Sequence, residues 1–181
     1  MTGSKHVAFL RGINVGGKNK LPSTELAAMF VAAGCAEVTT YIQSGNVVFE
    51  AAPLRVTLVA STVASDILAR FGYRVPVIVR SAGEMKQVAG GNPFVMAGGA
   101  TDALHVAFLD GVPAAAKIAG LDVHRSVPDE FAVKGREIYL RLPNGVARSK
   151  LTNAYFDAKL GVTSTVRNWR TVLKLIEMCA S

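Results

Sequence analysis

Short apolar runs and stretches of helical spacing alternate along this chain, and the same order of signals comes round twice. Residues 5–10, KHVAFL, are a compact apolar run that ends at Arg11 and Gly12, which predicts a buried strand. Ser23 precedes Leu26, Met29, Phe30 and Ala33, spaced i, i+3, i+4, i+7. That spacing predicts a helix with Ser23 as its N-cap, Glu25 in its first turn and Gly34 at its end. VTTYIQ and NVVFEA then flank Ser44 and Gly45, a tight hairpin. Leu58, Ile67, Leu68 and Phe71 line a second helix stopped by Gly72, and RVPVIVR is a closing strand. The order is βαββαβ, the ferredoxin-like arrangement.

The second half reads the same way. ALHVAFL predicts a strand, residues 114–119 a short helix, and EFAVKGREIYLRL a hairpin turning at Lys134 and Gly135. A helix near 149–160, opened by Ser149 and stopped by Gly161, leads to the strand TSTVRNW. Thr171 caps a last helix carrying Val172, Leu175 and Ile176; its counterpart is a helix over 83–89 capped by Ser81, which links the halves. HVAFLRG at 6–12 answers HVAFLDG at 105–111, SGNVVFEA answers KGREIYLR, and VIVRSAGEM answers RNWRTVLKL. Three landmarks in one order predict an internal duplication. The expected fold is therefore α+β: two tandem ferredoxin-like subdomains, 1–90 and 91–181, with an extra C-terminal helix.

The segments FLRGINVGGKNK, YIQSGNVVFE, VPVIVRS, NPF, RSKL and RNWRTVLKL, taken together and in order, resemble the bacterial domain-of-unknown-function family numbered 1697. The resemblance covers nearly the whole chain. It implies paired ferredoxin-like units and brings with it no activity, substrate or cofactor.

Composition narrows the class. At 181 residues, 50% of them hydrophobic, the chain can bury roughly 70% of the surface it would expose unfolded, which excludes a disordered or low-complexity protein. No apolar run approaches the ~20 residues of a membrane span. The N-terminal apolar stretch is too short for a secretory signal, so the expected compartment is the cytoplasm. Cys35 and Cys179 form no CxxC pair and are expected to be reduced thiols. Twenty Lys and Arg against thirteen Asp and Glu leave a net charge of +7. Between Arg141 and Lys174 seven basic residues meet one acid, Asp157, and Arg11, Lys18 and Lys20 form a second cluster. A basic surface of this kind draws phosphates and nucleic acid.

Several chemistries are disfavoured. Gly12–Asn19 has the GxxxxGK spacing of a phosphate loop, but Asn19 stands where a magnesium-binding hydroxyl belongs, and Leu21 and Pro22 delay the helix. What survives is a glycine-rich loop whose amides and Lys18 cradle an anion. KGREIYL lacks the aromatics of an RNA-recognition strand. His6, His105 and His124 have no metal-ligand spacing, and no GxSxG elbow occurs, so neither metal nor cofactor is expected.

If the halves are copies, their differences point to function. Val77, Ile78, Val79 and Arg80 align in this reading with Arg167, Asn168, Trp169 and Arg170, so aliphatic positions have turned polar. Ser149 and Thr171 open two helices beside Arg148, Lys150 and Arg170, which favours an anion. At the other edge Arg11 replaces Asp110, and the first half has grown the loop Gly12–Leu21 beside Gln43, Ser44 and Asn46. The predicted ligand-binding residues are Arg11, Asn14, Lys18, Lys20, Arg148, Ser149, Lys150, Arg167, Asn168, Trp169 and Arg170. The expected partner is a phosphate-bearing small molecule or nucleic acid, with no membrane. Two other readings stand beside it: a small enzyme acting on an anionic metabolite in a cleft between the halves, and an interaction scaffold.

Overall fold

Each of the two HVAFL runs becomes an inner strand of a four-stranded antiparallel sheet, because an apolar strand can bury both faces only where neighbours satisfy both of its edges. The computed structural model describes residues 3–98 and 100–181. The chain runs β1 (Ser4–Leu10), α1 (Ser23–Ala32), β2 (Ala36–Tyr41), β3 (Asn46–Ala51), α2 (Pro53–Phe71) and β4 (Val77–Ser81). Two helices follow, α3 (Ala82–Gly91) and α4 (Pro93–Met96). The order then recurs as β5 (Leu104–Leu109), α5 (Ala115–Ala119), β6 (Glu130–Lys134), β7 (Glu137–Arg141), α6 (Asn153–Leu160) and β8 (Ser164–Asn168), with α7 (Trp169–Ala180) last. The sheets are ordered β2-β3-β1-β4 and β6-β7-β5-β8, and the class is α+β. The chain forms two compact units, Met1–Lys86 with Leu175–Ser181, and Gln87–Lys174. The sequence halves 1–90 and 91–181 follow chain order, whereas these units divide inside α3 and inside α7. Among the described residues no helix is long and apolar enough to cross a membrane.

In the first unit Ala8, Leu10, Val47, Phe49 and Ala51 share one face of the sheet and pack on Leu26, Met29 and Phe30 of α1 and Val59, Val63 and Ile67 of α2. The expected inner stripe of α2 needs correction. Leu58 is 62% exposed and Leu68 is 38% exposed, while the β-branched line Val59, Val63, Ile67 faces the sheet. Residues four apart lie on one helix face, and this line, not the leucines, is the unbroken one. In the second unit Ala107, Leu109, Ile138 and Leu140 pack on Tyr155, Phe156 and Leu160 of α6. There the Tyr139 hydroxyl donates to the Val88 carbonyl at 3.2 Å, and burial pushes its pKa up to about 12.

Three helix starts differ from expectation. Ser23 is the first helical residue of α1 and makes no capping bond; Pro22 precedes it, and the Leu26 amide donates to the Pro22 carbonyl. A proline costs nothing there, since its missing N–H would have had no helical partner. Thr152, not Ser149, caps α6 by accepting from the Tyr155 amide at 3.2 Å. Asn168, not Thr171, opens α7, its side-chain oxygen accepting from the Thr171 amide at 2.8 Å. Ser81 does what its spacing predicts: Ser81 Oγ accepts from the Glu84 amide, and the Glu84 carboxylate accepts from the Ser81 amide.

Register corrects the comparison of the two halves. β1 pairs with β4 as His6↔Ser81 and Val7↔Arg80, and β5 pairs with β8 as His105↔Asn168 and Val106↔Arg167. The counterpart of Arg167 is therefore Arg80, and that of Asn168 is Ser81, rather than Val77 and Ile78. His6↔Phe49 against His105↔Leu140 shifts the hairpins in the same manner, matching Phe49 with Leu140 instead of Tyr139. Both arginines are buried, at 1% and 8% exposure.

Gly45, at φ +77°, closes the first hairpin loop, and a Cβ there would meet the Leu10 Cβ at 2.8 Å and its carbonyl oxygen at 3.0 Å. Gly45→Ala is expected to cost at least ~2 kcal/mol, read as a lowered urea midpoint; a midpoint equal to wild type refutes the close approach. His105 is buried beside the Ala103 carbonyl, and burial lowers its pKa from 6.5. The unfolded chain thus binds the proton first as pH falls, so this group's contribution is constant above about 6.5, declines below it, and levels off beneath the folded pKa. His105→Gln should flatten the fall in stability as pH drops below about 6.5, measured by urea titrations on either side of that value; an unchanged slope removes His105 from the account.

Candidate functional site

At the end of β1 the chain leaves the sheet under tight control. The Leu10 amide donates to the Gly45 carbonyl at 2.8 Å and the Arg11 amide to the Pro76 carbonyl at 3.1 Å, so the loop departs between the hairpin turn and the start of β4. Ile13 and Leu21 are buried and anchor its two ends. Between them the chain doubles back into a small finger. The Asn14 amide donates to the Asn19 carbonyl at 3.1 Å, and the Lys18 amide to the Val15 carbonyl at 3.0 Å. Positive φ at Gly12, Asn14, Gly16, Gly17 and Asn19 makes the reversal possible, with asparagine at the two positions where a side chain is also used.

Those side chains hold the finger shut. Asn14 Nδ2 donates to the Leu21 and Gln43 carbonyls, each at 2.9 Å, while its Oδ1 accepts from the Leu21 amide at 2.8 Å. Asn19 Nδ2 donates to the Gly12 carbonyl at 2.9 Å. The Asn14 and Lys18 amides serve carbonyls of the loop, so these two amides are already engaged. The chemistry of the loop lies in its side chains. Arg11 is half-buried, and Lys18 and Lys20 are exposed. Beside Lys20 opens a cavity of about 370 Å³ lined by Asn14, Gly17, Leu21, Pro22, Ser23 and Gln43. An adjoining cleft shares Asn14, Leu21, Ser23 and Gln43 and adds Ile13, Thr40 and Ile42. The first turn of α1 stands at this wall with no side-chain cap, so its dipole adds positive potential.

The charge difference between Arg11 and Asp110 now has a physical cause. The Asp110 amide donates to the Thr163 carbonyl, just as the Arg11 amide donates to that of Pro76. In the second unit the Asp110 carboxylate also accepts from the Thr163 amide at 2.8 Å. Pro76 has no N–H to offer, so an acid at residue 11 would have no such role.

Most of the remaining predicted residues have partners of their own. Arg148 ends a single 3-10 turn, Val146–Arg148, and is exposed. Ser149 Oγ accepts from the Leu151 amide at 3.0 Å, and the Lys150 amide donates to Ser126 Oγ at 2.9 Å. The Lys150 carbonyl accepts from Arg125 Nε at 3.1 Å, and the Arg125 guanidinium lies over the Tyr155 ring, 4.1 Å from its centre. Arg170 pairs instead with Asp102 at 2.9 Å, both side chains being 84% exposed. Arg167 and Trp169 are buried, so these two are corrected from surface groups to structural ones, whereas Asn168 is exposed and its side-chain oxygen caps α7. Arg167 donates to Thr165 Oγ1 at 2.8 Å and to the Val166 carbonyl at 2.9 Å. Burial draws its pKa down to about 10, which leaves it protonated at neutral pH. Ser23, Ile42 and Gln43 join Lys20 and Asn14 around the cavity and its cleft without having been singled out as ligands. The paired asparagines within a glycine loop were the signal pointing to a shaped finger.

A family model described as a protein of unknown function, DUF1697, matches residues 3–139. No curated protein matches the chain. Among solved structures, a conserved bacterial protein from Streptococcus pneumoniae superimposes with a TM-score of 0.69 at 19% identity, over 98% of this chain and 99% of its own. That likeness is one of fold alone.

Asn14→Ala removes three hydrogen bonds of the finger, with an expected loss of about 1–3 kcal/mol and faster amide exchange across residues 11–21. Hydrogen-exchange mass spectrometry reads both. Wild-type protection in that peptide would show that the finger holds its shape without Asn14.

Proposed function

The chain belongs to the DUF1697 family, proteins of unknown function, and we propose that it is a binding protein for a phosphate-bearing ligand, held between the Gly12–Leu21 finger and the turn that follows β2. The observation that carries this reading is Lys20 on the wall of a cavity of about 370 Å³, with Lys18 on the same finger and Arg11 at its base. A cavity of that size lies within the range that small ligands occupy. The finger is already shaped by the Asn14 and Asn19 side chains, so binding would not have to order it. The overall charge of +7 favours the approach of an anion.

The same reading takes each unit as a ferredoxin-like module and the pair as copies of one ancestor. Their common element order, common strand order and matching registers support it. We place the protein in the cytoplasm, where its free thiols Cys35 and Cys179 would stay reduced.

A thermal-shift titration with inorganic phosphate, ribose 5-phosphate and a short oligonucleotide, at low and high salt, tests the reading. At least one of these should stabilise the wild type. Lys18→Ala combined with Lys20→Ala should weaken that probe about tenfold or more, while unliganded stability stays within about 0.5 kcal/mol because both side chains are exposed. Unchanged affinity in the double variant, or no shift with any probe, rejects the site.

A further inference from the structure

The return from α2 to β4 is longer than its counterpart in the second unit. Gly72 and Gly161 stop α2 and α6 in the same left-handed conformation, and the Pro76 and Thr163 carbonyls accept alike from the Arg11 and Asp110 amides. Tyr73, Arg74, Val75 and Pro76 fill that interval in the first unit, Val162 and Thr163 in the second. The helix before it is longer too, nineteen residues against eight. Between this return and the C-terminal half of α2 lies a cavity of about 320 Å³, partly open to solvent and lined by Ala64, Ser65, Leu68, Arg74, Val75 and Pro76. It shares no lining residue with the cavity at Lys20.

The two polar side chains on its wall are uncommitted. Thr57 and Ser61 of α2 turn their hydroxyls back to the carbonyls three residues earlier, each at 3.0 Å. The Ser65 hydroxyl, next along the same helix face, has no hydrogen-bond partner among the described residues. Arg70 pairs with Glu25 and Asp66, whereas the Arg74 side chain has neither a hydrogen bond nor an ion pair among the described residues. Leu68, off the core line of α2, adds apolar surface beside Ala64, Val75 and Pro76. One cation thus stands at an otherwise largely apolar wall. The fork of a guanidinium matches the two oxygens of a carboxylate, and a serine hydroxyl can donate to one of them. A phosphate dianion would leave half of its charge unanswered. The dipole of α2 opposes an anion at this end, but it acts as about half a charge within the last turn, against the full charge of Arg74. We propose that this cavity is a second ligand site, independent of the finger, for a small free carboxylic acid with an apolar body: the carboxylate lies at Arg74 and the hydrocarbon against Leu68. Its volume suits one small molecule.

Titrations of hexanoate, hexanol, acetate and the peptide acetyl-Gly-Gly-Leu, followed through the methyl resonances of Leu68 and Val75, test the site. Hexanoate should shift both residues saturably and bind about tenfold or more tightly than hexanol or acetate. Arg74→Gln, at an exposed position, should keep the wild-type spectrum, weaken hexanoate to the level of hexanol and leave hexanol unchanged. Lys18→Ala combined with Lys20→Ala should leave hexanoate untouched. Hexanoate binding without shifts at Leu68, undiminished in Arg74→Gln, or lost in the lysine variant overturns the proposal. Equal affinity for hexanol removes the carboxylate from the site, and tighter binding of the peptide assigns the cavity to a chain terminus; either result overturns it as well. Failure of the phosphate probes at the finger leaves this site standing.

Discussion

The pairing of β1 with both β3 and β4 is the constraint from which the rest of the first unit follows. Val7, Ala8, Phe9 and Leu10 have no exposed surface, and their backbone is bonded along two edges. A slip of one residue would exchange the faces, taking Ala8 and Leu10 away from the helices and putting Val7 and Phe9 there instead. Because that slip is forbidden, the strand ends at a fixed point, where Leu10 and Arg11 bond to Gly45 and Pro76. The finger, the turn and the first residue of α1 are all positioned from this one place.

The second unit obeys the same constraint and does less with it. Leu109 and Asp110 bond to Arg136 and Thr163, the counterparts of Gly45 and Pro76. Asp110 then closes its own turn through the Thr163 amide, and the chain goes to α5 through Gly111, Val112 and Pro113. The exchange of one letter between HVAFLRG and HVAFLDG thus records a difference in what stands across the strand end: an amide that can be accepted from, or a proline that has none.

Much of this was legible in the letters. The apolar heptads, the βαββαβ order, the glycine helix stops at Gly72 and Gly161, and the Ser81 cap all follow from spacing alone. Register was not, because matching letters at one constant displacement assumes equal loops. The finger lengthens the first unit ahead of β2, so each pair of strands has its own displacement, and a single displacement sets Arg167 against Val77 instead of against Arg80. The stripe of α2 is obscured for another reason. Leucine outweighs valine on hydrophobicity, yet the line that fits beneath a sheet is chosen by angle around the helix. The closing bonds of Asn14 were also invisible, since they join residues whose nearness exists only after folding.

Correct register changes what the repeated polar residues mean. His6 and His105 each place Nδ1 against the carbonyl two residues earlier, at 2.7 and 3.2 Å. Arg80 and Arg167 each donate to the carbonyl of the residue before them, at 3.0 and 2.9 Å. A buried charge is tolerated only where its hydrogen bonds are supplied, and both units supply them at the same position. Such groups answer to the requirements of the sheet, which are common to both units. The finger has no counterpart, and its polar side chains stand at the surface instead of in the core. A feature that one sheet of this topology does without is not demanded by the topology. Specific chemistry is therefore to be sought at the unrepeated edge of the first unit, and the buried arginines, however conspicuous their charge, belong to the scaffold.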